Sequence, residues 1–210
     1  MIRILIADDH PVVRQGLRQI LEMEFPSMKI GEAENSWRAL ELVRAEPWDA
    51  VILDITIPPR SGLDVLKEIK GERPKLPVLI LSIHPEDQYA VRALRAGASG
   101  YMTKESAPRE LMNALKLILK GGKYVSATLA EELADQLGPG AEIPPHERLS
   151  DREFQVLCLI ASGKTIAEIA AELCLSAKTI ATFRARILTK MGMKNNAELI
   201  HYAIKRGLIE

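Results

Sequence analysis

Val51-Ile52-Leu53-Asp54 is an apolar run that ends on a carboxylate, and Pro58-Pro59-Arg60-Ser61-Gly62 breaks the chain just beyond it. Two other runs share this layout. Ile4-Leu5-Ile6-Ala7 leads into Asp8 and Asp9, and Val78-Leu79-Ile80-Leu81 leads into Ser82. Continuous aliphatic runs of this length are what strands buried on both faces look like, and such strands belong to parallel sheets covered by helices. If the three runs are neighbouring parallel strands, their polar ends meet at the carboxyl edge of one sheet. That edge is where open α/β folds hold ligands. Asp54 is then the candidate reacting group.

Working outward, five strand candidates fall near residues 2–7, 28–33, 49–54, 76–82 and 99–103. The second, Met28-Lys29-Ile30-Gly31-Glu32-Ala33, is more polar and suits a sheet edge. Helical spacing fills the gaps. Pro11 suits the first position of a helix, with Val13, Leu17, Ile20 and Leu21 on its apolar stripe. Trp37, Leu40 and Val43 mark a second helix, Leu63, Leu66 and Ile69 a third, and Ala90, Ala93 and Leu94 a fourth. Leu111, Leu115, Ile118 and Leu119 mark a fifth, closed by Gly121-Gly122. Alternating strands and helices imply right-handed crossovers and a doubly wound parallel sheet.

The chain has 210 residues, 47% hydrophobic and 27% charged, a size and balance that suit one or two globular domains. No apolar run reaches the ~18 to 20 residues of a membrane span. The N-terminus opens directly on strand-like sequence, without the layout of a signal peptide. Cys158 and Cys174 both fall in helical patterns and read as small buried hydrophobes. A cytoplasmic location fits these features. The formal net charge of zero hides an asymmetry: residues 149–210 hold nine Lys/Arg against six Asp/Glu, and the front of the chain is mildly acidic.

Asp8, Asp9 and Asp54 in one partly desolvated cleft would repel strongly. A hard cation with oxygen ligands relieves that repulsion, and Mg²⁺ binds through one or two carboxylates plus waters and phosphate oxygens. Asp54 then stays ionised and is able to act as a nucleophile, as aspartyl-phosphate chemistry requires. Lys104, at the end of the fifth strand, places an ammonium against a phosphoryl group, and Ser82 offers a hydroxyl. Each residue alone has an ordinary reading: Asp8-Asp9 before His10-Pro11 could simply cap a helix. The four histidines, at 10, 84, 146 and 201, show no ligand spacing. His10 and His84 are placed to line the cleft, and no metal role is expected of them.

Asp8-Asp9, Asp54, Ser82, Tyr101 and Lys104, in this order and at these strand ends, resemble the receiver domain of two-component response regulators over residues 1–122. The resemblance implies a flavodoxin-like fold of sheet order 2-1-3-4-5. It implies phosphoryl transfer to Asp54 from a histidine kinase or a phosphotransfer protein, with Mg²⁺ held by Asp8, Asp9, Asp54 and the main-chain carbonyl of Thr56. It also implies a switch in which Ser82 moves toward the phosphoryl group and Tyr101 turns inward. Two positions depart from the common pattern. Asp54-Ile55-Thr56-Ile57-Pro58-Pro59 stands where relatives often read Asp-x-x-Met-Pro-Gly, and Glu105 follows Lys104 where many have proline. Without that proline no cis bond is expected there.

Residues 123–148 read as a linker, with a short helix at Thr128–Leu133 and breaks at Gly138-Pro139-Gly140 and Pro144-Pro145. Residues 149–210 read as four helices. Ser150-Asp151-Arg152-Glu153 and Thr165-Ile166-Ala167-Glu168 both fit a capping box. The helices are expected at about 151–162, 166–173, 177–191 and 196–206, with the short Cys174-Leu175-Ser176 link as the turn of a helix-turn-helix. On the third, Ile180, Phe183, Ile187 and Met191 share the core side. Lys178, Thr182, Ala185, Arg186 and Thr189 fall opposite, with Ala181 beside them. From Lys178 to Lys194 there are five basic residues and no acidic one, the electrostatic footprint of DNA binding.

Leu149-Ser150-x-Arg152-Glu153, Ala161-x-Gly163-Lys164-Thr165-x-x-Glu168-Ile169-Ala170 and Leu175-Ser176-x-Lys178-Thr179-Ile180 resemble LuxR-type helix-turn-helix domains. With the receiver, the whole chain resembles a NarL/FixJ-type response regulator. That resemblance implies base-edge contacts from Ala181, Thr182 and Ala185, phosphate contacts from Lys178, Arg184, Arg186 and Lys190, and a homodimer on double-stranded promoter DNA. The expected function is phosphorylation-controlled transcription regulation. An Asp-nucleophile phosphatase would instead turn over small phosphate esters, and a protein-interaction output module would leave the basic run unused.

Overall fold

The structure, a computed structural model, describes residues 1–24, 27–84, 86–127, 129–131 and 144–209. It divides into an N-terminal unit, 1–133, and a C-terminal unit, 134–210. The N-terminal unit runs β1 (Arg3–Ala7), α1 (Pro11–Glu24), β2 (Lys29–Ala33), α2 (Ser36–Ala45), β3 (Ala50–Asp54), α3 (Gly62–Glu72), β4 (Val78–Ser82), α4 (Glu86–Arg95), β5 (Gly100–Thr103) and α5 (Ala107–Leu119). The strands form one sheet in the order β2-β1-β3-β4-β5, and every pairing is parallel. This is the doubly wound parallel sheet read from the alternation of strands and helices, in the flavodoxin-like order that the receiver-domain resemblance implies.

Burial follows sheet position. All of β3 and β4 is buried, whereas β2 at one edge is mostly half-exposed. The other edge is covered. After α5 the chain returns so that Tyr124 N–H donates to the Ser99 carbonyl at 2.8 Å and Tyr124 bridges Gly100. Backbone groups that would template a further strand are thereby used. One face of the sheet packs on α1 and α5 through Ile4, Ile6, Ile52, Leu79, Leu17, Leu21, Leu111 and Leu115. Register aligns the strand ends: Ala7 pairs Leu53, Asp54 pairs Leu81, and Ser82 pairs Thr103.

Two sequence expectations need correction. Trp37 is on α2, but it does not lie on the core stripe and is 61% exposed. The buried stripe is Ser36, Ala39, Leu40 and Val43. Ser36 takes the inward position because its N–H donates to the Pro58 carbonyl and its hydroxyl accepts from the Arg60 N–H. Trp37 is one residue, about 100°, further round the helix. Its ring instead meets the Arg60 guanidinium, 5.6 Å from the ring centroid. Cys158 is buried as expected, but Cys174 is exposed. It lies in the turn with a φ of 52°, past the end of its helix.

The C-terminal unit begins with a 3₁₀ turn, Pro145–Arg148, and continues through α6 (Asp151–Ala161), α7 (Ile166–Glu172), α8 (Ala177–Met191) and α9 (Asn196–Lys205). Both expected capping boxes form, from Ser150 with Glu153 and from Thr165 with Glu168. Ser176 caps α8 by accepting from the Thr179 N–H, and Gly192 ends it at a φ of 67°, a left-handed conformation that glycine adopts without penalty. The core is Phe154, Leu157, Ile169, Ile180, Ile187, Leu199 and Ala203. The short helix expected at Thr128–Leu133 lies partly, and Gly138-Pro139-Gly140 wholly, outside the described residues. Among the described residues no helix is long and apolar enough to cross a membrane.

Candidate functional site

The carboxyl edge of the sheet gathers the residues that the strand ends specify. Asp54 closes β3, and its neighbours in the sheet put Asp8, just beyond β1, on one side and Ser82, closing β4, on the other. All three are almost fully buried. Lys104, just beyond β5, sends its ammonium between two of them, 2.9 Å from Asp54 Oδ2 and 2.7 Å from Asp8 Oδ2. Burial alone would lower its pKa, but the Asp54 and Asp8 carboxylates prevail and hold it above the ordinary lysine value. The cleft thus has one fixed cation facing several carboxylates.

The turn after Asp54 is shaped around the carboxylate. Thr56 N–H donates to Asp54 Oδ1 at 3.1 Å, and the Thr56 hydroxyl lies 3.1 and 3.2 Å from the two carboxylate oxygens. The receiver-domain resemblance implies a role only for the Thr56 main-chain carbonyl; the hydroxyl contact is additional, and a hydroxyl two residues beyond an Asp is an ordinary local partner. The loop then closes tightly. Gly62 N–H donates to the Ile55 carbonyl, and a Cβ on Gly62 would stand 2.2 Å from the Asp54 carbonyl oxygen and 2.7 Å from Ile55 Cα. Only glycine lets α3 start this close to the end of β3. The Pro58–Pro59 peptide is cis, and no cis bond follows Lys104.

On the β4 side, Ser82 Oγ accepts from the His84 N–H at 2.9 Å. The Tyr101 ring is fully buried, and its hydroxyl donates to the His84 carbonyl at 3.0 Å. Ser82 and Tyr101 therefore hold the same short loop from two sides. Tyr101 is in the inward position that the receiver-domain resemblance associates with the switched state.

The donor set suits a hard divalent cation. Asp8, Asp9, His10 and Asp54 each offer a ligand atom, and these atoms lie within 4.8 Å of one another. Asp9 Oδ1 and Asp8 Oδ2 are buried and accept no hydrogen bond of good geometry. Asp8 Oδ2 faces the Lys104 ammonium at 2.7 Å, whereas among the described residues Asp9 Oδ1 has no cation of the protein beside it other than the His10 ring. Buried carboxylate oxygens left in this state are costly unless an ion completes them.

In the C-terminal unit, Ala181, Thr182, Ala185, Lys178 and Arg186 are all exposed on one face of α8. The Thr182 hydroxyl donates back to the Lys178 carbonyl at 2.9 Å, which leaves its lone pairs outward. Two of the expected phosphate contacts have other partners within the unit. Arg184 Nε donates to Asn196 Oδ1 at 2.6 Å, and Lys190 Nζ meets Glu153 Oε2 at 2.6 Å. Burial raises the Glu153 pKa, but the Lys190 ammonium and the Ser150 donors outweigh it and hold the carboxyl below its ordinary value. These pairings join residues far apart in sequence, and no local signal announces them.

Comparison with known proteins agrees with both units. Residues 4–116 match the response regulator receiver domain, and residues 147–203 match the luxR family of bacterial regulatory proteins. The chain is 34% identical over 209 residues to the response regulator UvrY of Escherichia coli O6:H1, covering 99% of this chain and 96% of that one. It is 32% identical over 211 residues to the response regulator GacA of Pseudomonas viridiflava, covering 100% and 99%. Among solved structures it is similar to RcsB of Salmonella enterica serovar Typhimurium bound to the rprA promoter with a beryllofluoride phosphomimetic. There the TM-score is 0.65 and the identity 30%, over 96% of this chain and 98% of that one. A second RcsB structure, bound to the P1flhDC promoter, gives 0.67 and 29%, over 96% and 97%. With a buried Asp54 at the sheet's carboxyl edge, a lysine between the carboxylates and a capped helix-turn-helix later in the chain, these matches place the chain in the NarL/FixJ-type two-component response regulators, which join a receiver domain to a LuxR-type DNA-binding domain.

Proposed function

We propose that Asp54 accepts a phosphoryl group from the phosphohistidine of a sensor kinase or phosphotransfer protein. A carboxylate oxygen of Asp54 forms the new P–O bond as the P–N bond breaks, and the departing imidazole keeps the electron pair and takes up a proton. The observation that carries this reading is the Lys104 ammonium fixed between Asp8 and Asp54, where it would meet a phosphoryl oxygen. Asp8, Asp9, Asp54 and the main-chain carbonyl of Thr56 would hold Mg²⁺, which supplies charge neutralisation for the phosphoryl oxygens. Ser82 would hydrogen-bond the phosphoryl group, and the loop it shares with Tyr101 would carry the change outward. The added charge of about −1.5 to −2 is ample to bias a two-state loop.

Residues 1–122 act as the receiver, 123–148 as the linker and 149–210 as the output domain. The output helix α8 enters the major groove of promoter DNA. Ala181, Thr182 and Ala185 face base edges, with methyl contacts to thymine and hydroxyl bonds, and Lys178, Arg184, Arg186 and Lys190 face phosphates. Two copies bind half-sites about one DNA turn (~10 bp) apart. The promoter-bound RcsB structures support this reading by similarity. The protein works in the cytoplasm, where kinase and DNA meet. Incubation with acetyl phosphate and Mg²⁺, followed by phosphate-affinity electrophoresis, tests the first step. A shifted band in the wild type that is absent in Asp54→Asn is expected; a shift that survives the substitution would place the phosphoryl group elsewhere.

A further inference from the structure

We propose that His10 is an additional ligand of the cation site, and that it tunes the site toward later first-row divalent ions that favour imidazole, such as Co²⁺ and Ni²⁺, over Mg²⁺. This deepens the cation-site reading above and rests on it.

The turn after β1 places the imidazole where an ion would need it. His10 Nδ1 lies 3.2 Å from Asp8 Oδ1 and 2.8 Å from Asp9 Oδ1. Ligand bonds of about 2.1 Å at right angles separate neighbouring donor atoms by about 3.0 Å. The two observed separations straddle that value; the one to Asp8 Oδ1 is a hydrogen bond in this structure, and a single ion that displaced the Nδ1 proton could take Nδ1 and both carboxylates as adjacent ligands. Trans donors in the same geometry stand about 4.2 Å apart. The full set of Asp8, Asp9, His10 and Asp54 spans no more than 4.8 Å, so only a few tenths of an ångström of contraction per ligand is needed.

The backbone fixes this approach. The His10 N–H donates to Asp8 Oδ1 at 2.8 Å, and Pro11 starts α1 at the next residue. The imidazole lies over the acidic pair, hydrogen-bonded to Asp8 Oδ1, with much of its ring open to water. The buried Asp9 Oδ1 has no hydrogen-bond partner of good geometry and faces this nitrogen. Carboxylates and water suit Mg²⁺, whereas one imidazole among them favours later first-row ions. Sequence spacing did not suggest this role, because three consecutive ligands match no helical or strand pattern.

The test measures binding and coordination separately. Calorimetric titration of the full chain with MgCl₂, MnCl₂ and CoCl₂ compares the wild type, His10→Ala and His10→Gln. We expect the ratio of Co²⁺ to Mg²⁺ affinity to fall about tenfold in both variants, with the Mg²⁺ affinity itself nearly unchanged. Pulsed electron paramagnetic resonance of wild-type protein with Mn²⁺ should show nitrogen hyperfine coupling that changes on labelling the histidines with ¹⁵N. The coupling should disappear in His10→Gln. An unchanged affinity ratio with no nitrogen coupling would overturn the His10 assignment alone. Failure of wild-type protein to bind any of the three ions would overturn the cation site itself.

Discussion

Asp8, Asp54 and Ser82 are almost wholly buried, whereas Ala181, Thr182 and Ala185 stand exposed on the outer face of α8. The cleft concentrates like charges in a desolvated space and restrains them with one lysine and a turn moulded on Asp54. The face of α8 carries small side chains, and the Thr182 hydroxyl donates back to its own helix. In the first region the chemistry is stored in the fold. In the second, the fold presents a surface whose meaning depends on a partner. Substitutions in the cleft should therefore disturb stability and phosphoryl chemistry together, while those on α8 should leave the fold intact and change only DNA binding.

The largest effect is expected from Lys104→Ala. It leaves Asp8 and Asp54 buried without their cation, and breaking a buried pair in this way costs about 3–5 kcal/mol. Urea unfolding of the variant in a chelator should show that loss, and Mg²⁺ should restore part of it. A variant as stable as the wild type would mean that the cleft is wetter than its burial indicates. Gly62→Ala follows. Its Cβ would meet the Asp54 carbonyl and Ile55 Cα, both backbone, so the loop must move. We expect a loss of about 2–3 kcal/mol together with slower phosphorylation. Unaltered phosphorylation kinetics would show that the turn does not position Asp54.

The smallest effects are expected in the C-terminal unit, where stored charge and presented surface meet in one residue. Lys190 has both a structural and a binding side, since it pairs with Glu153 within the C-terminal unit and lies in the basic run. Lys190→Ala should weaken binding to all DNA sequences alike and flatten the salt slope by about one. Selective loss at one base pair would contradict a phosphate role. Glu153→Gln separates the structural half of that residue's work, because glutamine keeps the capping box but not the charge. The Glu153 pKa is depressed in the folded state, so its contribution to stability is present above the ordinary carboxylate pKa. It is lost as pH falls through the depressed value. Thermal unfolding of the C-terminal unit in Glu153→Gln should accordingly be less sensitive to acid than in the wild type.

What the sequence made legible follows the same division. Continuous runs such as Val51-Ile52-Leu53 announce buried parallel strands, and their terminal residues converge because register in a parallel sheet aligns strand ends. Asp8, Asp54, Ser82 and Lys104 were readable for that reason. Helix starts were readable because Ser150 with Glu153, and Thr165 with Glu168, are local signals. What escaped was set by turns and tertiary contacts. The Thr56 hydroxyl and the His10 imidazole depend on loop conformation. Trp37 fits a helical pattern by composition, yet the Pro58–Arg60 loop selects Ser36 for the inward position. Lys190 and Arg184 looked free in a basic run, but Glu153 and Asn196 approach them from other helices.

The central claim is that charge at Asp54 controls DNA binding by α8. It is tested most directly by measuring affinity for a selected promoter fragment with and without beryllofluoride and Mg²⁺, for wild type and Asp54→Asn. The account predicts that beryllofluoride tightens wild-type binding and leaves Asp54→Asn unchanged. Equal affinities in all four conditions would contradict it.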